Sequence, residues 1–163
     1  MITETAGRRN PVRLLLYVPV PWVFVLTYLV GVALEYLLPL KADRSVPLSV
    51  TVAGGLLFCL GAVIAGWGWL LFHQAGTTRI PGQPSTALVT SGPYRVSRNP
   101  MYVGLTLAYL GEAGLLGQLW PVLLLPLTLA HLNWTVIPVE EARLKEVFGT
   151  DYDRYRAAVR RWI

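Results

Sequence analysis

Four long apolar runs dominate this sequence and leave little of it able to face water. Hydrophobic residues make up 54% of the chain and charged residues only 14%, whereas roughly 25% of the residues in a soluble domain are charged. A soluble helix bundle would need polar faces to meet water, and the long runs have none. We therefore expect an all-α integral membrane protein with four transmembrane helices.

The four runs predict spans over residues 14–40, 49–73, 100–116 and 119–137. A signal peptide can begin as this chain does, but the first run is too long and lacks an obvious small-residue cleavage site. Glu35 near its far end is expected at the membrane interface. Gly117 and Gln118 predict a tight turn between the last two runs. Because those two runs are short for a span of about 20 residues, they imply little tilt or partial embedding.

Small residues recur along the second run and predict close helix packing. They are Gly54, Gly55, Gly61, Ala62, Ala65, Gly66 and Gly68. Where lipid offers no hydrophobic drive, such residues let helix backbones approach each other. We expect this face to pack within the protein rather than in a dimer, and the sequence leaves the oligomeric state open.

The basic residues are distributed unevenly between the two ends of the spans. Of the 14 Lys and Arg residues, only Lys41 and Arg44 lie between the first two runs. The positive-inside rule then places both termini and the 74–99 loop in the cytosol. A net charge of +5 could also suggest nucleic acid, but topology and anionic membrane lipids account for it, so we expect no nucleic-acid partner.

Cysteine and histidine usage gives no support to a metal site. The chain has one cysteine, Cys59, and two well-separated histidines. No zinc-ligand spacing can be built from them.

Two segments outside the spans are expected to be ordered. The 74–99 loop is rich in glycine and proline, which exclude a continuous helix, and a connection of this length is often functional. Beyond the spans, Pro138 predicts a new helix with Glu140 and Glu141 in its first turn, ended by Gly149. A last amphipathic helix is predicted to lie on the membrane, with an apolar face made of Tyr152, Tyr155, Val159 and Trp162.

These segments together hold the residues that suit a small charged ligand. Gly92 and Pro93 can turn the chain tightly, Tyr94 and Tyr102 offer aromatic faces, and Arg98 and Asn99 offer polar contacts. Glu140 and Glu141 offer carboxylates. Together they suit a ligand with a cationic centre, hydroxyls and an aromatic ring. Taken singly, each residue also has a structural explanation as an interfacial anchor, a topology signal or a helix cap.

The order and spacing of these elements resemble the isoprenylcysteine carboxyl methyltransferase family. The segment LVTSGPYRVSRNPMYVG is followed by two apolar runs, by EEARLKEVFGTDYDRY and by a basic tail. The resemblance covers Phe72 to Trp162 and extends to the wider group of membrane methyltransferases that includes phospholipid N-methyltransferases. The first two spans carry no resemblance beyond being apolar. From the length and the apolar runs we expect a single domain, 1–163, made of two spans (1–73), a cytosolic loop (74–99), a helical hairpin (100–137) and cytosolic C-terminal helices (138–163), and the resemblance implies that the loop binds a cofactor.

In that family the matching region binds S-adenosylmethionine at the cytosolic face. The residues implied to bind this cofactor here are Thr86, Ala87, Leu88, Val89, Tyr94, Arg98, Asn99, Pro100, Met101, Tyr102 and Glu140. Asn99 and Thr86 stand where the family often has histidine. Val136 stands where the eukaryotic enzymes have an arginine that binds the substrate, so a prenylcysteine carboxylate would lose its expected counter-ion.

The resemblance implies methyl transfer to a lipid-like acceptor, either a prenylated cysteine or a lipid amine. Because the expected site adjoins apolar spans, we expect the acyl or prenyl chain of the acceptor to enter sideways from the bilayer. A carboxylate acceptor needs no base at neutral pH. An amine must lose a proton, and Glu140, Glu141 or His131 is the candidate catalytic group. Two alternatives remain open. They are an NADPH-dependent sterol reductase, which has a related turn in a far longer chain, and a non-catalytic membrane scaffold.

Overall fold

The computed structural model describes residues 19–40, 45–76 and 87–163, and within these ranges every regular element is helical. In chain order the elements are α1 (Val20–Leu37), α2 (Leu48–Gln74), a 3₁₀ turn (Gly92–Arg95), α3 (Pro100–Leu116), α4 (Leu119–His131), a π-helical turn (Leu132–Val136) and α5 (Ile137–Ala158). The predicted all-α class is therefore confirmed for the described residues.

Three helical segments in the described part of the chain are long and apolar enough to cross a membrane. They are α1, α2 and the continuous stretch Leu119–Ala158 that joins α4 to α5. Helix α3 has 17 residues and is therefore about 26 Å long at 1.5 Å per residue, somewhat less than the roughly 30 Å of a hydrocarbon core. The protein is an integral membrane protein, and the crossing by α3 is taken up below as a proposal.

Glycines bring α2 and α3 into backbone contact, as the small-residue pattern predicts. A Cβ atom added at Gly54 would lie 2.6 Å from the backbone nitrogen of Leu115, and one added at Gly61 would collide with the backbone of Gly104 and Ala108. Further along, Gly68 packs against Met101. Three successive contacts along α2 therefore match three along α3, and the two helices run side by side over this length. Gly66 faces open space and takes no part.

The turn between α3 and α4 has the geometry expected from Gly117. Gly117 adopts φ 64°, a left-handed conformation that favours glycine. The carboxylate of Glu35 on α1 accepts hydrogen bonds from the backbone N–H groups of Leu119 and Trp120, at 3.0 and 3.1 Å. Because the first N–H groups of a helix have no partner within it, Glu35 satisfies the N-terminus of α4 and joins it to α1.

The predicted bounds differ from the structure at the ends of the first span. Helix α1 ends at Leu37 rather than at residue 40, and residues 14–18 of that predicted span lie outside the described residues. Pro19 precedes the first helical residue, and Pro21 lies in the first turn, where a missing N–H group costs nothing.

Pro138 lies in the first turn of α5, within one residue of the predicted helix start, but no break separates α5 from α4. Helix α4 continues through the π-helical turn into α5, and the N–H of Ile137 donates to the carbonyl of Leu132, five residues earlier. The wider turn carries the chain into the first turn of α5, where Pro138 is tolerated without a break.

The prediction of a last helix that includes Trp162 is wrong. The helix ends at Ala158, and Val159 is extended at φ −124° and ψ 132°. Beyond the helix, the backbone carbonyls of Arg160 and Arg161 accept hydrogen bonds from the 97–99 segment instead. The predicted break at Gly149 is confirmed by its non-helical φ of 52°.

Candidate functional site

The 92–102 segment turns the chain from the end of α2 into α3. Gly92 adopts φ 57°, a left-handed conformation that favours glycine, and it packs against the side chains of Leu71 and Trp67 at the end of α2. The carbonyl of Asn99 accepts the N–H groups of Tyr102 and Val103, at 3.0 and 3.1 Å. Pro100 occupies the first helical position, and these features set the direction of α3.

The two carboxylates at the start of α5 each meet this segment. Glu140 accepts a hydrogen bond of 2.7 Å from the Tyr102 hydroxyl. Glu141 forms an ion pair of 3.1 Å with Nη1 of Arg98. The structure therefore brings together the loop and the acidic pair that the sequence separates by about forty residues, as the resemblance implies.

A second arginine, which the sequence did not indicate, completes the ion-pair cluster. The Nε and Nη2 atoms of Arg161 donate to the two oxygens of Glu141 at 3.1 and 2.8 Å. Its Nη1 atom lies 3.3 Å from Oδ1 of Asn133 in the π-helical turn, and Nε1 of Trp162 donates to the same oxygen at 3.2 Å. A two-pronged contact of this kind fixes both position and orientation.

The backbone of the C-terminal segment is fastened to the turn before α3. The N–H of Arg98 donates to the carbonyl of Arg160 at 2.9 Å. The side-chain amide of Asn99 donates to the carbonyl of Arg161 at 3.0 Å, and the Tyr155 hydroxyl donates to the carbonyl of Tyr94 at 2.8 Å. Main-chain contacts therefore position Arg161 independently of its bond to Glu141.

The cluster is largely shielded from water. The side chains of Arg98 and Glu141 are 10% and 13% exposed, so their attraction is screened less than that of a surface pair. Tyr152 accepts a hydrogen bond of 3.4 Å from Arg98. It lies on α5 after Gly149, outside the apolar part of that helix. Burial raises the pKa of its phenol, as does the Glu141 carboxylate, while Arg98 lowers it. A phenol is already protonated at neutral pH, and the net rise in the pKa of Tyr152 moves its ionisation further from that pH.

The remaining predicted cofactor residues lie around this cluster in different surroundings. Ala87, Leu88 and Val89 are half-buried, and Thr86 lies outside the described residues. The Tyr94 side chain is 1% exposed and packs edge-on against Phe72. Asn99 is buried, and Met101 packs against the core. Their contacts with a cofactor stay predictions.

His131, predicted as a possible base, ends α4 at the start of the π-helical turn. Its Nε2 atom is buried and has no hydrogen-bond partner among the described residues. No contact between His131 and the two glutamates is seen, and its role stays a prediction. In the described ranges no three His, Cys, Asp or Glu side chains are placed to hold a metal ion.

Sequence reasoning missed Asn133, Arg161 and Trp162. Arg161 belongs to a basic tail whose charge was explained by the membrane surface, and Trp162 was placed on the apolar face of a helix. No local signal ends that helix at Ala158. A possible signal was the polar Asn133 within an otherwise apolar run, since polar residues in spans tend to find partners.

Comparison with known proteins supports the family resemblance. The family model described as phospholipid methyltransferase matches residues 49–151. A curated relative, the protein-S-isoprenylcysteine O-methyltransferase of Schizosaccharomyces pombe (strain 972 / ATCC 24843), is 42% identical over 72 residues, which is 44% of this chain and 30% of the relative. No solved structure matches the chain significantly.

The matched segment contains the 92–102 turn, the acidic pair and Asn133, whereas Arg161 and Trp162 lie beyond it. The comparisons lend no support to a sterol reductase or a scaffold. Because the family model covers well over half of the sequence, this chain belongs to the phospholipid methyltransferase family.

Proposed function

We propose that this protein is a membrane methyltransferase that uses S-adenosylmethionine to methylate a lipid-like acceptor. The observation that carries the proposal is the meeting of the Arg98–Tyr102 segment with the glutamate pair, through the bonds Tyr102–Glu140 and Arg98–Glu141. This polar cluster lies at one end of helices whose outer surfaces are apolar and exposed.

The residues of the cluster fit the polar groups of the methyl donor. Carboxylates accept hydrogen bonds from hydroxyl and ammonium groups, and Glu140 and Glu141 provide two at the start of α5. Arg98 has a buried Nε atom without a partner among the described residues, which suits a carboxylate. When bound, S-adenosylmethionine supplies an electrophilic methyl group on a positively charged sulfur.

The chain's own contribution is to position the reactants and to exclude water. Asn99 and Pro100 are buried, and the hydrogen bonds from Tyr102 and Arg98 hold both carboxylates in place. Fixed orientation and a dry site are the main means by which a direct displacement is accelerated. An amine acceptor needs a base as well, and the unpartnered Nε2 atom of His131 or the carboxylate of Glu140 is available for that role. Glu141, the other candidate, has both oxygens bound to Arg161.

The acceptor is proposed to be lipid-like because apolar surface adjoins the cluster. Trp134, next to the Asn133 that holds Arg161, is 76% exposed, and Val147 on α5 is also exposed. Large exposed apolar side chains at this level face acyl chains in a bilayer. An acceptor with a prenyl or acyl chain can therefore reach the site from the side.

We further infer four membrane crossings, with the site and both termini on the cytosolic side. One end of the bundle joins Glu35 to Leu119 and places Gly117 against Val46. The other end joins Arg98 to Arg160. Helix α3 connects the two ends alongside α2, so it crosses the same depth. The excess of Arg and Lys at the second end assigns that end to the cytosol.

Methyl transfer from labelled S-adenosylmethionine to membrane lipids tests the proposal. We expect the protein in native membranes to produce a labelled product that partitions into organic solvent. Replacing Glu140 by Gln should lower the activity at least about tenfold, because a charge-assisted hydrogen bond is lost. The matched control is Glu146→Gln, an exposed residue on the same helix, which should retain the activity.

Two results would contradict the proposal. One is the absence of any association of the purified protein with S-adenosylmethionine or S-adenosylhomocysteine in nanodiscs. The other is full activity on water-soluble acceptors only, which would remove the lipid-like acceptor but leave the methyltransferase.

A further inference from the structure

The two arginines of the cluster share one carboxylate, and neither of them is paired with the second carboxylate, Glu140. Arg98 and Arg161 both bind Glu141, whereas Glu140 accepts its hydrogen bond from the neutral Tyr102. The neighbouring Tyr152 phenol and Asn133 amide are also uncharged. A buried donor without a partner is costly, so the unpartnered Nε atom of Arg98 is suited to an additional anionic acceptor.

One edge of the Arg98 guanidinium group, formed by Nε and Nη2, has no hydrogen-bond partner within the described residues, and we call it the open edge. Its contacts with Glu141 and Tyr152 both involve Nη1. The Nε atom is buried without a partner, and no hydrogen bond from Nη2 is found within the described ranges. Arg161 uses these same two atoms, Nε and Nη2, to hold both oxygens of Glu141. The edge that forms a two-pronged bond to an oxyanion is thus engaged in Arg161 and open in Arg98.

Arg161 explains why Glu141 does not occupy the open edge of Arg98. The two-pronged bond to Arg161 holds both oxygens of Glu141, and only one of them also reaches Nη1 of Arg98. Arg161 is itself fixed by its main chain, because its carbonyl accepts hydrogen bonds from Asn99 and, at 3.4 Å, from Ser97. Without Arg161, Glu141 would have only Arg98 as a cationic partner.

We propose that Arg161 is a positioning residue that neutralises Glu141, so that Arg98 binds a carboxylate or phosphate oxyanion of a reactant. This inference rests on the proposed function for the identity of the reactant, and it assigns a role to a residue beyond the matched family region. The oxyanion has three possible sources: the carboxylate of the methyl donor, the carboxylate of a prenylcysteine acceptor, or the phosphate of a lipid acceptor.

Binding of three matched ligand pairs tests the proposal and separates the sources. The first pair is S-adenosylhomocysteine and its decarboxylated analogue. The second is an S-prenylcysteine and its methyl ester, and the third is phosphatidic acid and diacylglycerol. Each pair differs by one anionic group. In nanodiscs of phosphatidylcholine, the wild-type protein should prefer the anionic member of at least one pair by about tenfold or more.

Four variants then assign the preference to the cluster. Arg98→Gln and Arg161→Gln should each reduce the ratio of the affinities for the two members of a pair to within about twofold of one. Arg98→Gln removes the binding edge, whereas Arg161→Gln lets Glu141 occupy it. The double variant Glu141→Gln/Arg161→Gln should regain the preference, because Arg98 no longer has a competing carboxylate. Arg160→Gln is the matched control, because its side chain is exposed and only its carbonyl is used.

The double variant distinguishes positioning from a purely structural role. If Arg161 only stabilised the fold, removing Glu141 as well would not restore the preference, and that result would overturn the proposal. The absence of an anion preference in all three wild-type pairs would also overturn it. Thermal midpoints in detergent identify misfolded variants, and Arg161→Met takes the place of Arg161→Gln if the latter does not fold. Arg161→Lys, which keeps the charge that neutralises Glu141, should retain the preference.

The outcomes for this inference and for the proposed function are separable. If the wild-type protein binds neither S-adenosylmethionine nor S-adenosylhomocysteine, the proposed function fails, while the acceptor pairs still report on the oxyanion site. If it binds the donor but shows no anion preference, only the oxyanion site is rejected.

Discussion

Tyr102 and Tyr109 lie two turns apart on α3, and each donates a hydrogen bond through its phenol. The two acceptors differ in charge. The Tyr102 hydroxyl bonds to the Glu140 carboxylate at 2.7 Å, whereas the Tyr109 hydroxyl bonds to the neutral carbonyl of Pro121 at 2.9 Å. Both rings are buried. The two residues therefore form a matched pair in which only one touches the candidate site.

Replacing Tyr102 by Phe should lower both stability and donor binding. The loss of a hydrogen bond to a carboxylate costs about 1.5–3 kcal/mol, and Glu140 is then no longer held for the ligand. Tyr109→Phe should cost only about 1 kcal/mol of stability and leave binding unchanged. Thermal unfolding in detergent and calorimetric titration with S-adenosylhomocysteine measure the two effects. Equal binding losses in both variants would show that Tyr102 acts only through the fold.

At the level of single residues, the sequence predicted only part of the polar cluster. Tyr102, Arg98 and the glutamates could be brought together because family resemblance gave them a shared role. Asn133 and Arg161 could not, since their contact depends on where the helix ends and on hydrogen bonds to residues 97–99. Those are tertiary interactions, and local propensity does not encode them.

Helices α2 and α3 form the closest contact between elements, and glycine makes it possible. Gly61 packs against the backbone of Gly104 and Ala108, while Gly66 on the same helix has no neighbouring atom within 4 Å of an added Cβ. One substitution at two positions of one helix therefore probes two different environments.

Gly61→Ala and Gly66→Ala should change stability in opposite directions. At Gly61 the added methyl group meets backbone that cannot move aside, which should destabilise the protein by about 1–3 kcal/mol. At Gly66 the methyl group meets nothing, and the better helix propensity of alanine should stabilise it by up to about 1 kcal/mol. Unfolding in mixed micelles of increasing SDS content measures both. A similar loss at both positions would contradict the close packing of α2 on α3.

At the level of elements, the apolar runs and turn residues predicted the bounds of α2 and α3 to within one residue and the start of α4 at Leu119, whereas α4 ends at His131 rather than at residue 137. The π-helical turn was not predicted because proline is normally a sign of a helix boundary. Here the wider turn of residues 132–136 accommodates Pro138, and the helix continues. The result is a continuous helix that carries Asn133 and both glutamates on one rigid element.

For the whole molecule, the two ends of the bundle differ in composition. One end contains Glu35, Val46 and Gly117, and the other contains the polar cluster and the C-terminal segment. The sequence predicted this separation from the distribution of Arg and Lys, which is a statement about topology rather than about contacts. The structure adds that α3 passes between the two ends.

Labelling of single cysteines from either side of the membrane tests four crossings directly. Cys59, the sole cysteine, is first replaced by serine, and cysteine is then introduced at Arg95, Arg156 or Leu40, which are exposed positions outside the apolar parts of the helices. A membrane-impermeant maleimide should label positions 95 and 156 in inside-out vesicles and position 40 in intact cells, because an even number of crossings returns the chain to the cytosol.

Labelling of 95 and 156 from opposite sides is incompatible with the bond between Arg98 and Arg160. Labelling of all three from one side would show that α1 and α2 do not each cross the membrane.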